Sequence, residues 1–119
     1  MRFAEIIRIV EGTLLTRNDG SGLDLSRCCG CDLMSDVLTF SKPEALLLTG
    51  LTNAHVIRTA EMADLAAIIF VRGKAPAAEV IALAEDKGIP LASSNYTLFE
   101  MCGRLYQAGL VSCDTLAGK

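Results

Sequence analysis

At 119 residues the chain has the length of one domain. Its hydrophobic share is 51% before ten glycines are counted, above the roughly 45–50% that average domains reach with glycine included, so disorder is excluded and apolar surface is left over for a partner. Eleven Lys and Arg against fourteen Asp and Glu leave a net charge of -3, which excludes a basic field for nucleic acid or an anionic membrane.

In chain order, Phe3, Ile6, Ile7 and Val10 recur at helical spacing and predict a short helix that Gly12 ends. Residues 13–16 predict a short strand, and residues 17–22 (RNDGSG) an exposed loop rich in turn formers. Residues 27–31 predict a second short strand, followed by a helical turn through Leu33, Met34, Val37 and Leu38, then a break at Lys42-Pro43-Glu44. From residue 45 the pattern becomes regular. Apolar runs at 45–49, 66–71 and 89–93 predict strands, each followed by an amphipathic helix: 53–64, one opening at Pro76, and one from Thr97 to Gly109. Thr97 and Glu100 have the spacing of a capping box. The order βαβαβα with unbroken apolar strands predicts an α/β domain whose parallel sheet is covered by helices. Residues 1–110 form the expected domain and residues 111–119 a weakly ordered tail.

The start carries Glu5 and Glu11 and no apolar leader, and the longest apolar run, 65–71, falls far short of the roughly 18 residues of a membrane helix. A soluble, cytoplasmic protein is the expectation. Cys28, Cys29, Cys31, Cys102 and Cys113 are odd in number and crowded, which fits reduced thiols better than a disulfide framework.

Ligands of parallel α/β sheets bind beyond the carboxyl ends of the strands. Those ends carry Thr49, Gly50, Thr52 and Asn53, then Arg72, Gly73 and Lys74, then Ser93, Ser94 and Asn95. Helix N-termini and two cations there favour an anion such as phosphate. The same residue types also serve simply to turn and cap the chain. Cys28, Cys29 and Cys31 are the candidates for metal, but no second Cys pair follows at ligand spacing. In a strand, Cys29 and Cys31 share one face and Cys28 the other, which suits core packing. His55 is the single histidine and falls in the first turn of a helix, an exposed position. Asp32 and Asp36 have the spacing of neighbours on a helix face, open to a divalent cation, acid–base work or dipole compensation. No Walker A or G-x-G-x-x-G pattern is present, and no catalytic constellation or cofactor is expected.

The run Cys31-Asp32-Leu33-Met34-Ser35-Asp36-Val37-Leu38, followed by LLLTGLTN, AAIIFVRGKAP, KGIPL and SSNYTLFEMCGRL in that order, resembles the DRTGG domains over about residues 3–110. The resemblance implies a bacterial, non-catalytic regulatory or interaction module with a two- or three-layer α/β fold, often paired as a homodimer. Similar domains precede the catalytic part of HPr kinase/phosphorylase. They also sit between CBS domains in some pyrophosphatases, where the regulatory region binds adenine nucleotides. Stand-alone members imply an accessory role beside a hydrogenase or another anaerobic redox complex. Where the family has Thr-Gly-Gly this chain has Val71-Arg72-Gly73, so a cation replaces a glycine that would permit positive φ. The kinase's P-loop domain is absent from the sequence, and a kinase assignment does not carry over. Three readings follow: a homodimeric module working through a protein partner, a sensor for a nucleotide or phosphorylated metabolite at the strand ends, or a Cys-based metal or redox module.

Overall fold

The computed structural model describes residues 1–113 of the chain. The element order is α1 (Phe3–Ile9), β1 (Thr13–Leu14), β2 (Arg27–Gly30), α2 (Met34–Phe40), β3 (Leu46–Thr49), α3 (Ala54–Met62), β4 (Ala67–Phe70), α4 (Ala78–Asp86), β5 (Leu91–Ser93), α5 (Leu98–Ala108) and β6 (Val111–Ser112). They build one six-stranded sheet in the order β1-β5-β4-β3-β2-β6. Five strands run parallel, and only β1 is antiparallel to its neighbour.

Alternation along the central strands explains the layers. Leu47, Ile68, Phe70 and Leu91 point to one face and pack with Val37, Val56, Ile57, Ala60, Val80 and Ala84 from α2, α3 and α4. Leu46, Leu48, Ala67, Ile69 and Ala92 point to the other face and pack with Phe3, Ile6, Met101 and Leu105 from α1 and α5. Every residue of β3 and β4 is buried, as a strand covered on both sides must be. Helix–sheet–helix layering is thus the sum of two apolar stripes per strand and one per helix.

Several expectations change. Glu11, not Gly12, takes the left-handed conformation that closes α1 (φ 52), with Gly12 N–H returning to the Ile7 carbonyl at 2.8 Å. Gly12 instead permits close approach: a Cβ there would lie 3.1 Å from the Ser93 carbonyl oxygen. Pro76 stands ahead of α4, whose N-cap is Ala77. The capping box is half made. The Thr97 hydroxyl accepts the Glu100 N–H at 3.2 Å, while the Glu100 carboxylate accepts from Arg104 Nε at 2.9 Å instead of reaching back. Asp32 precedes α2, so it does not share a helix face with Asp36.

The segment read as a tail begins with structure. Val111–Ser112 is a strand parallel to β2, with Leu110 and Cys113 buried. Residues 114–119, the rest of that expected tail, lie outside the described residues.

Candidate functional site

The parallel register brings the ends of β2, β3, β4 and β5 to one edge. At the end of β3, Thr49 is fully buried. Its hydroxyl donates to Asp32 Oδ1 at 2.9 Å and accepts the Leu51 N–H at 3.2 Å. The same Asp32 oxygen accepts the Gly50 N–H at 2.7 Å. A carboxylate of the chain therefore fills the place at which a phosphate oxygen would meet the Gly50 amide. Thr52 and Asn53 continue to the start of α3, where Asn53 is the N-cap residue without a side-chain capping bond.

At the end of β4, Arg72 and Gly73 both take positive φ, 57° and 69°. This lets the loop turn back on the β5 end: Arg72 N–H donates to the Tyr96 carbonyl at 2.8 Å and Gly73 N–H to the Ser94 carbonyl at 2.7 Å. A Cβ on Gly73 would lie 2.8 Å from Asn95 Oδ1. Lys74 folds over the edge and donates from Nζ to the Gly50 carbonyl at 3.2 Å. The side chains of Arg72, Lys74 and Asn95 are exposed, and Ser93 is partly buried. Ser94 is buried, its hydroxyl donating to the Val10 carbonyl at 2.6 Å and accepting the Tyr96 N–H at 3.2 Å.

All three predicted loops thus meet along one edge, yet Thr49 and Ser94 spend their hydroxyls on the fold. What remains for an incoming group is the exposed fringe of Arg72, Lys74, Asn53 and Asn95, with Asp32 bonded to the end of β3. The sequence singled out Asp32 for other chemistry. Its place at this edge follows only from β2 being the parallel neighbour of β3.

A second cluster borders the edge. Tyr96 donates its hydroxyl to Glu11 Oε2, and the Arg104 guanidinium lies 4.2 Å above its ring centre. The bond to Glu11 holds the Tyr96 phenol above its usual range by favouring the protonated form.

The cysteines divide as strand alternation requires. Cys29 and Cys31 pack on the α2–α4 face, and Cys28 with Cys102 on the α1–α5 face. Burial pushes the Cys28 thiol far up, helped by the neighbouring Cys102, Cys113 and Cys29, and burial also raises Cys102. Among the described residues no group of three or more His, Cys, Asp and Glu side chains is placed to hold a metal ion. His55 is exposed on α3.

On the outer side of α5 the apolar surplus reaches solvent. Phe99 is 87% and Tyr106 73% exposed. Together with Gly103, Cys102, Val111 and Leu110 they line a cavity of about 380 Å³ beside the β6 edge. Leu33, Leu38 and Phe40 are also exposed, at and along α2. No helix among the described residues is long and apolar enough to cross a membrane.

Fold and strand-end geometry define a small three-layer α/β domain whose polar groups gather at the carboxyl ends of a parallel sheet. The chain belongs to the DRTGG domain family, whose model matches residues 5–108. It is similar in fold to the CBS and DRTGG domains of the regulatory region of Clostridium perfringens pyrophosphatase, determined with the activator diadenosine tetraphosphate, with a TM-score of 0.74 and 14% identity. The match covers 90% of this chain and 46% of that one, so the chain spans less than half of the relative's regulatory region. No curated protein matches the sequence.

Proposed function

We propose that the chain is a non-catalytic regulatory module that works through protein contact, first with a second copy of itself. The observation that carries this reading is the apolar outer face of α5 beside the β6 edge, where Phe99 and Tyr106 stand almost free of the fold. Two large aromatic side chains with an adjoining cavity are a costly surface to leave in water and a favourable one to cover. The strand-end edge, by contrast, closes its buried hydroxyls on its own backbone and on Asp32. Sedimentation at high protein concentration should give a dimer. Phe99→Asp, which alters a side chain 87% exposed, should weaken it at least tenfold while the circular dichroism stays unchanged. A wild-type chain that remains monomeric throughout contradicts the self-association.

The wider expectation, an accessory place beside a hydrogenase or similar redox complex, rests on the family resemblance and is tested by co-purification from the native host.

A second reading is favoured by the exposed cations Arg72 and Lys74 at the strand ends and by the similar regulatory region that binds a dinucleotide activator. Here the domain senses a nucleotide or another phosphorylated metabolite. Ligand at a hundred times its Kd would add about 2.7 kcal/mol of stability, a thermal shift of several degrees. Diadenosine tetraphosphate and adenine nucleotides are the probes. Arg72→Ala with Lys74→Ala should abolish the shift, and no shift at millimolar ligand argues against the sensor.

A further inference from the structure

The β2–β6 register places two thiols side by side. Cys28 pairs with Ser112 at the end of the parallel ladder, and one residue beyond each lie Cys29 in β2 and Cys113 in the turn that follows β6. Both belong to the core layer packed under α2, α3 and α4. They line one cavity of about 230 Å³, together with Cys28, Cys31, Asp36 and Phe40. Neighbouring strands lie about 4.8 Å apart, inside the roughly 4.4–6.8 Å that a disulfide spans between Cα atoms.

We propose that Cys29 and Cys113 form a reversible disulfide that fastens β6 to β2. The other thiols are worse placed. Cys102 lies over Gly30, its sulfur 2.7 Å from where a Cβ there would stand. Cys28 and Cys102 pack on the opposite face of the sheet, under α1 and α5, away from the layer that holds Cys29 and Cys113. Cys31 sits two residues along the strand from Cys29, near the upper limit of reach, and its sulfur accepts the Leu33 N–H at 3.4 Å.

The oxidant is a small disulfide such as oxidised glutathione. The Cys29 thiolate, partly exposed in the cavity, attacks one sulfur and releases one thiol, leaving a mixed disulfide. The Cys113 sulfur then attacks Cys29 Sγ and releases the second thiol. Two protein thiols become one disulfide, and the small disulfide takes up the two electrons and two protons. The linkage concerns the β6 edge alone and stands apart from the regulatory reading above. Its consequence is local: β6 is two residues long, and a bond one step beyond it holds the strand that borders the α5 cavity.

The test equilibrates the full chain in glutathione buffers of graded redox poise, traps free thiols by alkylation and maps disulfides by mass spectrometry. Five free thiols should fall to three, with Cys113 joined to Cys29. The bond should be lost in Cys29→Ser and in Cys113→Ser, and kept in Cys28→Ser, Cys31→Ser and Cys102→Ser. Hydrogen exchange of the Val111 N–H, which donates to the Ser26 carbonyl at 3.0 Å, should slow on oxidation in the wild type and not in Cys29→Ser. A Cys28–Cys102 or Cys29–Cys31 bond, a bond between chains, or five thiols still free in the most oxidising buffer overturns the proposal.

Discussion

Arg72 shows how one residue can serve the loop and strain it. Its backbone holds φ 57°, followed by Gly73 at 69°, because only two successive left-handed residues turn the β4 end back to donate to Tyr96 and Ser94. A non-glycine residue there costs about 1–2 kcal/mol. Glycine would remove that strain but add about 0.5–1 kcal/mol of unfolded-state freedom. Arg72→Gly is therefore expected to be neutral or to stabilise by up to about 1 kcal/mol. Gly73→Ala moves the other way: it brings in the left-handed strain and sets a methyl 2.8 Å from Asn95 Oδ1. A loss of about 1–2 kcal/mol follows, since the amide end of Asn95 can swing aside but the backbone cannot. Urea unfolding of the two variants measures both. Equal destabilisation by both would show that the Arg72 side chain, rather than its φ, matters to the fold. Arg72→Gly also separates charge from strain in any ligand test, because it deletes the cation without distorting the loop.

At the scale of elements, β3, β4 and β5 and the helices after them were legible because period and length coincide there. Unbroken apolar runs of four to six residues bounded by turn formers leave little choice, and helix stripes such as Val56, Ile57 and Ala60 face the sheet as their spacing requires. The face-splitting of Cys28 from Cys29 and Cys31 was equally legible, since it needs only the two-residue period of a strand. Pairing was not. β1 and β6 are two residues each, too short for a pattern, and their places are set by partners 80 or so residues away in sequence. The candidate edge was read from three loops, and those loops do meet. What stayed hidden was that Thr49 turns inward to Asp32, which depends on the β2–β3 pairing, and that Ser94 turns inward to the Val10 carbonyl, which depends on where the end of α1 meets β5. The end of α1 was misread for a related reason: Glu11 takes left-handed φ where Gly12 was the expected signal, held there by the returning bond of the Gly12 N–H to the Ile7 carbonyl.

For the molecule as a whole, the sheet order explains why the last described residues matter. β2, β3, β4 and β5 follow one another across the sheet, and α5 then carries the chain back over the opposite face to set β6 beyond β2. Without β6, β2 would be an edge strand, and an open edge is a template for unwanted pairing. β6 is fastened by the Val111 N–H to the Ser26 carbonyl at 3.0 Å, by Arg27 Nη1 to the Ser112 carbonyl at 2.9 Å, and by Cys113, which is 3% exposed. A chain cut after Leu110, where sequence pattern alone ends the domain, loses all three. One buried small side chain and two hydrogen bonds amount to about 2–4 kcal/mol. That is a large part of the roughly 5–15 kcal/mol that stabilises a domain. The cut after Leu110 should therefore lower the urea midpoint clearly and self-associate through the exposed β2. A cut after Cys113, which keeps β6, should lie well above it. Equal midpoints for the two cuts would mean that β6 adds nothing and that the parallel core ends at β2.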